Sequence, residues 1–69
     1  MTTQYTEGFQ RMIDTLRHTP IEVIEEAVAS LVKDSLTREE QLARSALLVS
    51  YEQRLGADTC EFLMEKLGL

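Results

Sequence analysis

Apolar residues recur at helical spacing along most of this chain, and β-branched residues do not alternate with polar ones as they would in a strand. The pattern divides into four segments, near residues 4–17, 20–33, 38–55 and 59–67. Each segment collects apolar side chains into stripes, as amphipathic helices do. The sequence therefore predicts an all-α fold, a small four-helix domain that spans residues 1–69 as a single unit.

Capping residues mark the ends of these segments. Thr19 to Glu22 and Thr37 to Glu40 each place a threonine at the N-cap and a glutamate three residues later, the pattern of a capping box. Asp58 to Glu61 is a third version with aspartate as the cap. Gly56 and Gly68 follow the third and fourth segments, where glycine can adopt the left-handed conformation that closes a helix. These signals predict where the last three helices begin and where the last two end.

Three of the four segments have a single apolar stripe. In the first segment the stripe falls within an arc of roughly 100° on the helical wheel. Val23 lies off the stripe of the second segment, and Phe62 lies off that of the fourth, so Phe62 is a candidate for exposed apolar surface. The stripes are Tyr5, Phe9, Met12, Ile13 and Leu16 in the first segment; Ile21, Ile24, Ala27, Val28, Leu31 and Val32 in the second; and Cys60, Leu63, Met64 and Leu67 in the fourth.

The third segment differs because it is apolar on two opposite faces. Leu42, Ala46 and Val49 form one stripe, and a second stripe is centred roughly 160–200° away on the wheel. A helix of this kind needs cover on both sides, and we expect three short neighbours in a chain of 69 residues to leave part of it open. A second copy or another protein would supply the remaining cover. The sequence thus predicts a homodimer packed through the long third helix.

The second stripe of this segment has the composition of a protein interface. It contains a tyrosine among leucines, arginines flank it, and acidic residues lie nearby. An alternative is equally open, namely that the stripe is internal core beneath helices one and four. The predicted interface residues are Arg44, Leu47, Leu48, Tyr51, Arg54, Leu55 and Phe62.

Charge narrows the class of partner. The 7 Lys and Arg residues stand against 12 Asp and Glu, for a formal net charge of −5. Binding to nucleic-acid phosphates or to an anionic membrane needs a basic face, so neither is an expected direct partner. A helix-turn-helix is disfavoured as well, because the fourth segment sets Glu61 and Glu65 against one Lys66. A basic surface on another protein remains the expected target.

Compartment and chain class follow from what the sequence lacks. A single Cys cannot form an internal disulfide, and no apolar run approaches the ~18 residues of a membrane span. Residues 1–10 have no basic region followed by an apolar core, so a signal peptide is not expected. We therefore expect a cytoplasmic protein.

No residue group has a catalytic or metal-binding pattern. Glu22, Glu25 and Glu26 crowd the first turns of the second segment, where acidic residues complement the helix dipole, and the single His18 lacks a partner set for a metal. Cys60 shares a face with leucines and is expected in the core, since a nucleophilic Cys would need His18 as its base. We expect no catalytic site, no metal and no cofactor.

One tripeptide offers a different function. Asp34-Ser35-Leu36 resembles the motif of acyl carrier proteins, in which the serine bears a phosphopantetheine arm, and the length, acidity and four helices are similar too. The glycine usually found two residues before that serine is Lys33 here, and a patterned helix replaces the usual long loop. The resemblance implies a carrier function with Ser35 as the modified residue.

The leading hypothesis is a non-enzymatic cytoplasmic regulator or adaptor that acts by protein–protein interaction. An example is a phage- or plasmid-type inhibitor of a bacterial transcription factor or enzyme. It depends on the missing catalytic constellation, the surplus apolar surface and the negative charge. The alternatives are a structural subunit of a permanent complex and the carrier modified at Ser35. The expected partners are a second copy of the chain and a cytoplasmic protein with a basic surface.

Overall fold

The computed structural model describes residues 3–69, with side chains from Glu7 onward. Its helices are α1 (Thr3–Leu16), α2 (Ile21–Ser30), α3 (Arg38–Leu55) and α4 (Ala57–Leu67), and this part of the chain contains no strand. The all-helical prediction is confirmed. None of these helices is long and apolar enough to cross a membrane.

The third helix is the centre of the fold. α1, α2 and α4 each pack against α3. α2 runs antiparallel to it, because Leu31 at the end of α2 lies beside Arg44 while Glu25 lies beside Tyr51 further along α3. The core lies among α2, α3 and α4, and its buried residues are Ile24, Val28, Leu47, Tyr51, Cys60 and Leu63.

α1 covers another part of α3 with the predicted stripe. Ile13 is buried, and Leu16 packs against the core. Phe9 and Met12 are half-buried. The remaining member of the stripe, Tyr5, lies outside the residues whose side chains are described.

α2 buries the middle of its stripe. Ile24 and Val28 are fully buried, and each contributes about 1.5–3 kcal/mol of transfer free energy. Val23 lies off the stripe and is exposed, as predicted. Val32 is exposed too, which corrects its assignment to the stripe: α2 ends at Ser30 rather than near residue 33, so helical spacing no longer applies there.

The buried surface of α3 is one broad face rather than two opposite stripes. Ser50 lies between the predicted stripes on the wheel, and it is buried together with Ala46 of the first stripe and with Leu47 and Tyr51 of the second. The small side chain of Ser50 thus joins the two stripes into a continuous surface. The three neighbouring helices cover most of that surface, and Leu42, Leu48 and Val49 are left half-buried at its edges.

The N-cap prediction holds fully for α3. The Glu40 backbone N–H donates to Thr37 Oγ1 at 3.1 Å, and the Thr37 backbone N–H donates to Glu40 Oε1 at 2.9 Å. This is a complete capping box. Gly68 ends α4 in the predicted left-handed conformation, with φ 79° and ψ 26°. Gly56 ends α3 with φ 96° and ψ 160°, a positive φ that favours glycine but lies outside the left-handed helical region.

The other two N-cap predictions are wrong. α2 begins at Ile21 with Pro20 at its N-cap, and the Thr19 hydroxyl donates back to the Thr15 carbonyl of α1 instead. α4 begins at Ala57, so Asp58 lies inside the first turn and Gly56 is the N-cap. A single residue separates α3 from α4, which leaves no room for a separate capping residue.

The two threonines therefore differ in their expected effect on stability. Thr37→Ala removes one half of a formed capping box and is expected to cost about 1 kcal/mol of unfolding free energy. Thr19→Ala removes only an exposed hydroxyl bond within the α1–α2 turn, and we expect it to cost a few tenths of a kcal/mol at most. Urea unfolding followed by circular dichroism measures both. Equal losses would contradict the assignment of the caps.

Candidate functional site

The seven predicted interface residues do not form one surface. Leu47 and Tyr51 are 8% and 3% exposed and face the chain's own core, which is the alternative that the helical wheel left open. Leu48 is half-buried against that core. Leu55 and Phe62 are 40% and 67% exposed and are the apolar members of the set that solvent reaches most freely.

The two predicted interface arginines bind the ends of neighbouring helices. Arg44 Nη1 donates to the Leu31 carbonyl at the C-cap of α2 at 3.3 Å. Arg54 Nη1 donates to the carbonyl of Leu16, the last residue of α1, at 3.2 Å, and to the Thr19 carbonyl in the following turn. Carbonyls at a helix C-terminus lack partners within the helix and favour a cation. Both arginines thus hold a helix end to α3.

Tyr51 connects the core to the surface of α2. Its hydroxyl donates to Glu25 Oε2 at 2.7 Å. Burial, followed by the hydrogen bond to Glu25 and its charge, raises the pKa of Tyr51 to about 12. The phenol therefore stays protonated near neutral pH and holds the half-buried carboxylate of Glu25 in place.

Cys60 lies in the core, as expected. Its Sγ is 3.5 Å from the Leu48 carbonyl, to which the thiol donates. Burial, with the charge of Glu52, raises the pKa of the thiol. The thiol is therefore protonated near neutral pH, unlike the thiolate that nucleophilic chemistry needs.

The residues considered for other chemistry are scattered. His18 is exposed in the turn between α1 and α2, and Ser35 is exposed in the connector between α2 and α3. Lys33 Nζ of that connector pairs with Glu40 Oε2 at 2.7 Å, and this bond together with the Thr37 backbone N–H lowers the pKa of Glu40. Over residues 3–69, no three His, Cys, Asp or Glu residues are grouped as a metal site would require.

Among the residues whose side chains are described, open grooves between the helices include the following two. The first, of about 330 Å³, separates α1 from α3 and is lined by Arg11, Met12, Thr15, Leu16, Ala43 and Leu47. The second, of about 390 Å³, lies between α2 and α4. It is lined by Glu22, Glu25, Glu26 and Ala29 from α2 and by Leu63, Lys66 and Leu67 from α4, and it is called the acidic groove below.

The net charge of the chain is concentrated on these same two helices. α2 and α4 carry six of the 12 acidic residues and only one of the 7 basic ones, so together they account for the whole net charge of −5. The acidic residues are Glu22, Glu25, Glu26, Asp58, Glu61 and Glu65, and the basic one is Lys66. This asymmetry is visible in the sequence once the charge is counted helix by helix.

Phe62 lies in the middle of the charged surface of α4. Asp58 and Glu65 are one turn before and after it, and Glu61 precedes it directly. All three carboxylates are exposed. Lys66, at the edge of the acidic groove, lies one turn beyond Phe62 on the same side of α4. The aromatic ring and the groove are therefore neighbouring parts of one surface.

Comparison of the chain with protein-family models, with curated proteins and with solved structures found no match.

The link between Tyr51 and Glu25 predicts a loss of stability at alkaline pH. A phenol that titrates near 10 when unfolded and near 12 when folded stabilises the folded chain fully below pH 10, and this contribution is lost as the pH rises towards 12. The loss is on the order of 2 kcal/mol. Urea unfolding of wild type and Tyr51→Phe across this range measures it, because the two proteins differ only in this phenol. An unchanged difference between the two proteins from pH 9 to 12 would contradict the prediction.

Arg54 is expected to matter for stability although it is exposed. Arg54→Met keeps most of the aliphatic stem but removes the bonds to the α1 end, at a cost of about 1 kcal/mol. Arg38→Met, at the exposed start of the same helix, is the matched control and is expected to change stability by no more than about 0.5 kcal/mol. Thermal unfolding gives both values. Equal effects would mean that Arg54 does not anchor α1.

Proposed function

We propose that this chain is a non-enzymatic cytoplasmic regulator or adaptor that docks on a protein with a basic surface. An inhibitor of a transcription factor or enzyme is one example of such a protein. The observation that carries the proposal is the 67% exposure of Phe62 in the middle of the acidic surface of α4. The docking surface comprises Phe62 and the charged outer sides of α2 and α4.

An exposed aromatic ring favours a partner for two reasons. Most of Phe62 remains in contact with water in the folded chain, so it retains transfer free energy that burial on another protein would release. Aromatic residues are also common among the few positions that dominate binding energy in protein interfaces. Phe62 is therefore the anchor of the proposed interface.

The surrounding carboxylates favour a basic partner. Asp58, Glu61 and Glu65 would repel an acidic surface and attract a basic one, which raises the association rate and selects among partners. α3 does not have this property, because its three acidic residues are balanced by three basic ones. The charge thus favours the α2–α4 side over the rest of the molecule.

Self-association belongs to the same proposal in a modified form. The predicted homodimer packs through the third helix, whose second stripe is Leu47, Leu48, Tyr51 and Leu55. Leu47 and Tyr51 are buried within the chain's own core. Leu55 and Phe62 are exposed, and we propose them as the contact of a dimer that is weaker than the complex with a basic partner, because the carboxylates around Phe62 repel those of a second copy. Substituting Tyr51 by Asp would test folding rather than dimerisation, whereas Phe62 can be changed without disturbing the core.

Affinity capture with the tagged chain from bacterial lysate tests the proposal. Phe62→Ser removes the anchor but no buried contact, so we expect at least one captured protein to be depleted about tenfold or more while the thermal unfolding temperature stays unchanged. Val32→Ser, an exposed apolar residue of the α2–α3 connector, is the matched control and is expected to retain that protein.

The tagged chain itself is also analysed, for self-association and for covalent modification. Light scattering of wild type and Phe62→Ser distinguishes a dimer from a monomer, and intact mass detects a phosphopantetheine arm on Ser35. Recovery of the same proteins by wild type, Phe62→Ser and Val32→Ser would refute the proposed interface. Recovery of the bait alone at low salt would refute the adaptor function.

A further inference from the structure

The acidic groove has a floor and walls of different chemistry. Leu63 and Leu67 of α4 and Ala29 of α2 supply apolar surface, and Glu22, Glu25 and Glu26 supply carboxylates from α2. Its volume of about 390 Å³ is near the lower end of the range for ligand pockets, about 300–1,000 Å³. It is open to solvent along the surface, so it suits side chains presented by a partner better than an enclosed ligand.

One carboxylate of the groove is already held in position. Glu25 accepts the hydrogen bond of Tyr51, whose hydroxyl reaches it from α3 at 2.7 Å. A bound cation would not need to order this side chain again, so less entropy is lost on binding. Glu22 and Glu26 are exposed, and neither takes part in an ion pair among the described residues, in which the pairs are Arg17–Asp14 and Lys33–Glu40.

A long basic side chain matches this combination of surfaces. Lys and Arg lay their aliphatic stems along apolar surface while the charged head remains polar or meets a carboxylate. In the acidic groove, the stem would lie over Leu63 and Leu67 while the head meets the glutamates of α2. The charge of the two helices adds attraction at longer range, since they account for the entire net charge.

We propose that the acidic groove binds a Lys or Arg side chain on a basic amphipathic helix of the partner protein, next to the apolar residue that contacts Phe62. This inference rests on the proposed function, because it assigns the chemistry of the partner for the same α2–α4 surface. Lys66 is the one basic residue of the groove and opposes the bound cation. It therefore reduces the affinity for basic segments.

Titration of the full chain with a defined peptide tests the proposal. The probe is a labelled amphipathic helical peptide with leucines along one face and arginines beside it, and its control has glutamine at every arginine. Fluorescence anisotropy gives the affinity, and amide chemical shifts identify the helices contacted. We expect the arginine peptide alone to bind and to shift amides of α2 and α4.

Paired variants locate the binding charge. Glu22→Gln with Glu26→Gln is expected to weaken binding of the arginine peptide about tenfold. Glu39→Gln with Glu52→Gln makes the same change in net charge on α3 and is expected to weaken it less than about twofold. Lys66→Gln should instead strengthen binding about threefold. All five residues are exposed at the surface, so circular dichroism should show unchanged folding.

Two results would overturn the groove. The first is equal weakening by the two glutamine pairs, which would mean that the net charge of the chain, and not the groove, attracts the peptide. The second is displacement of the peptide by spermine as effectively as by unlabelled peptide, which would mean that the groove binds free amines. If captured proteins depend on Phe62 but not on Glu22 and Glu26, the adaptor function stands without the groove. If the peptide binds and lysate yields no partner, the groove stands without the adaptor function.

Discussion

One buried surface on α3 has to fit three helices at the same time. α1, α2 and α4 each pack against it, and the small side chains of Ala46 and Ser50 are almost fully buried there. Larger side chains beside them, Leu47 and Tyr51, fill the core towards α2 and α4. The arginines add a polar component, because Arg44 and Arg54 fasten the carbonyl ends of α2 and α1 to the same helix. Neighbours of 14, 10 and 11 residues are thus ordered by a single longer one.

Most of the helical architecture could be predicted because its signals are local. The bounds of α3 depend on a capping box at Thr37 and on a glycine at Gly56, and both act within a few residues of the backbone they control. The two wrong N-cap predictions also came from local motifs, but contacts beyond those motifs determined the outcome. The Thr19 hydroxyl donates to the Thr15 carbonyl of α1 rather than capping α2. Because only Gly56 separates α3 from α4, Asp58 lies inside α4 rather than at its N-cap. The apolar stripe of α2 predicted too long a helix, because Leu31 continues the stripe and packs on the core although the helix has already ended at Ser30.

Less of the candidate site than of the fold could be predicted from the sequence. A helical wheel gives the direction of a side chain and says nothing of what lies there, so Leu47 and Tyr51 fitted an interface and a core equally well. Some contacts of the site join residues far apart in the chain, so no local sequence pattern predicts them. They are the bond from Tyr51 to Glu25 and the bonds from the two arginines to helix ends. The exposure of Phe62 could be predicted from the sequence, because an aromatic residue off the apolar stripe of a short helix does not face the core.

The uneven placement of charge gives the molecule a direction. With the entire net charge of −5 on α2 and α4, and acidic and basic residues balanced on α3, the chain has an electric dipole moment as well as a charge. The electric field of a basic protein orients such a dipole before contact, so that the acidic side of the chain faces the partner. A larger fraction of encounters then has the orientation that binding needs. Neutral faces elsewhere limit attraction to other basic surfaces. The same distribution makes the approach sensitive to ionic strength, because the torque disappears once the separation exceeds the Debye length, about 8 Å in physiological salt.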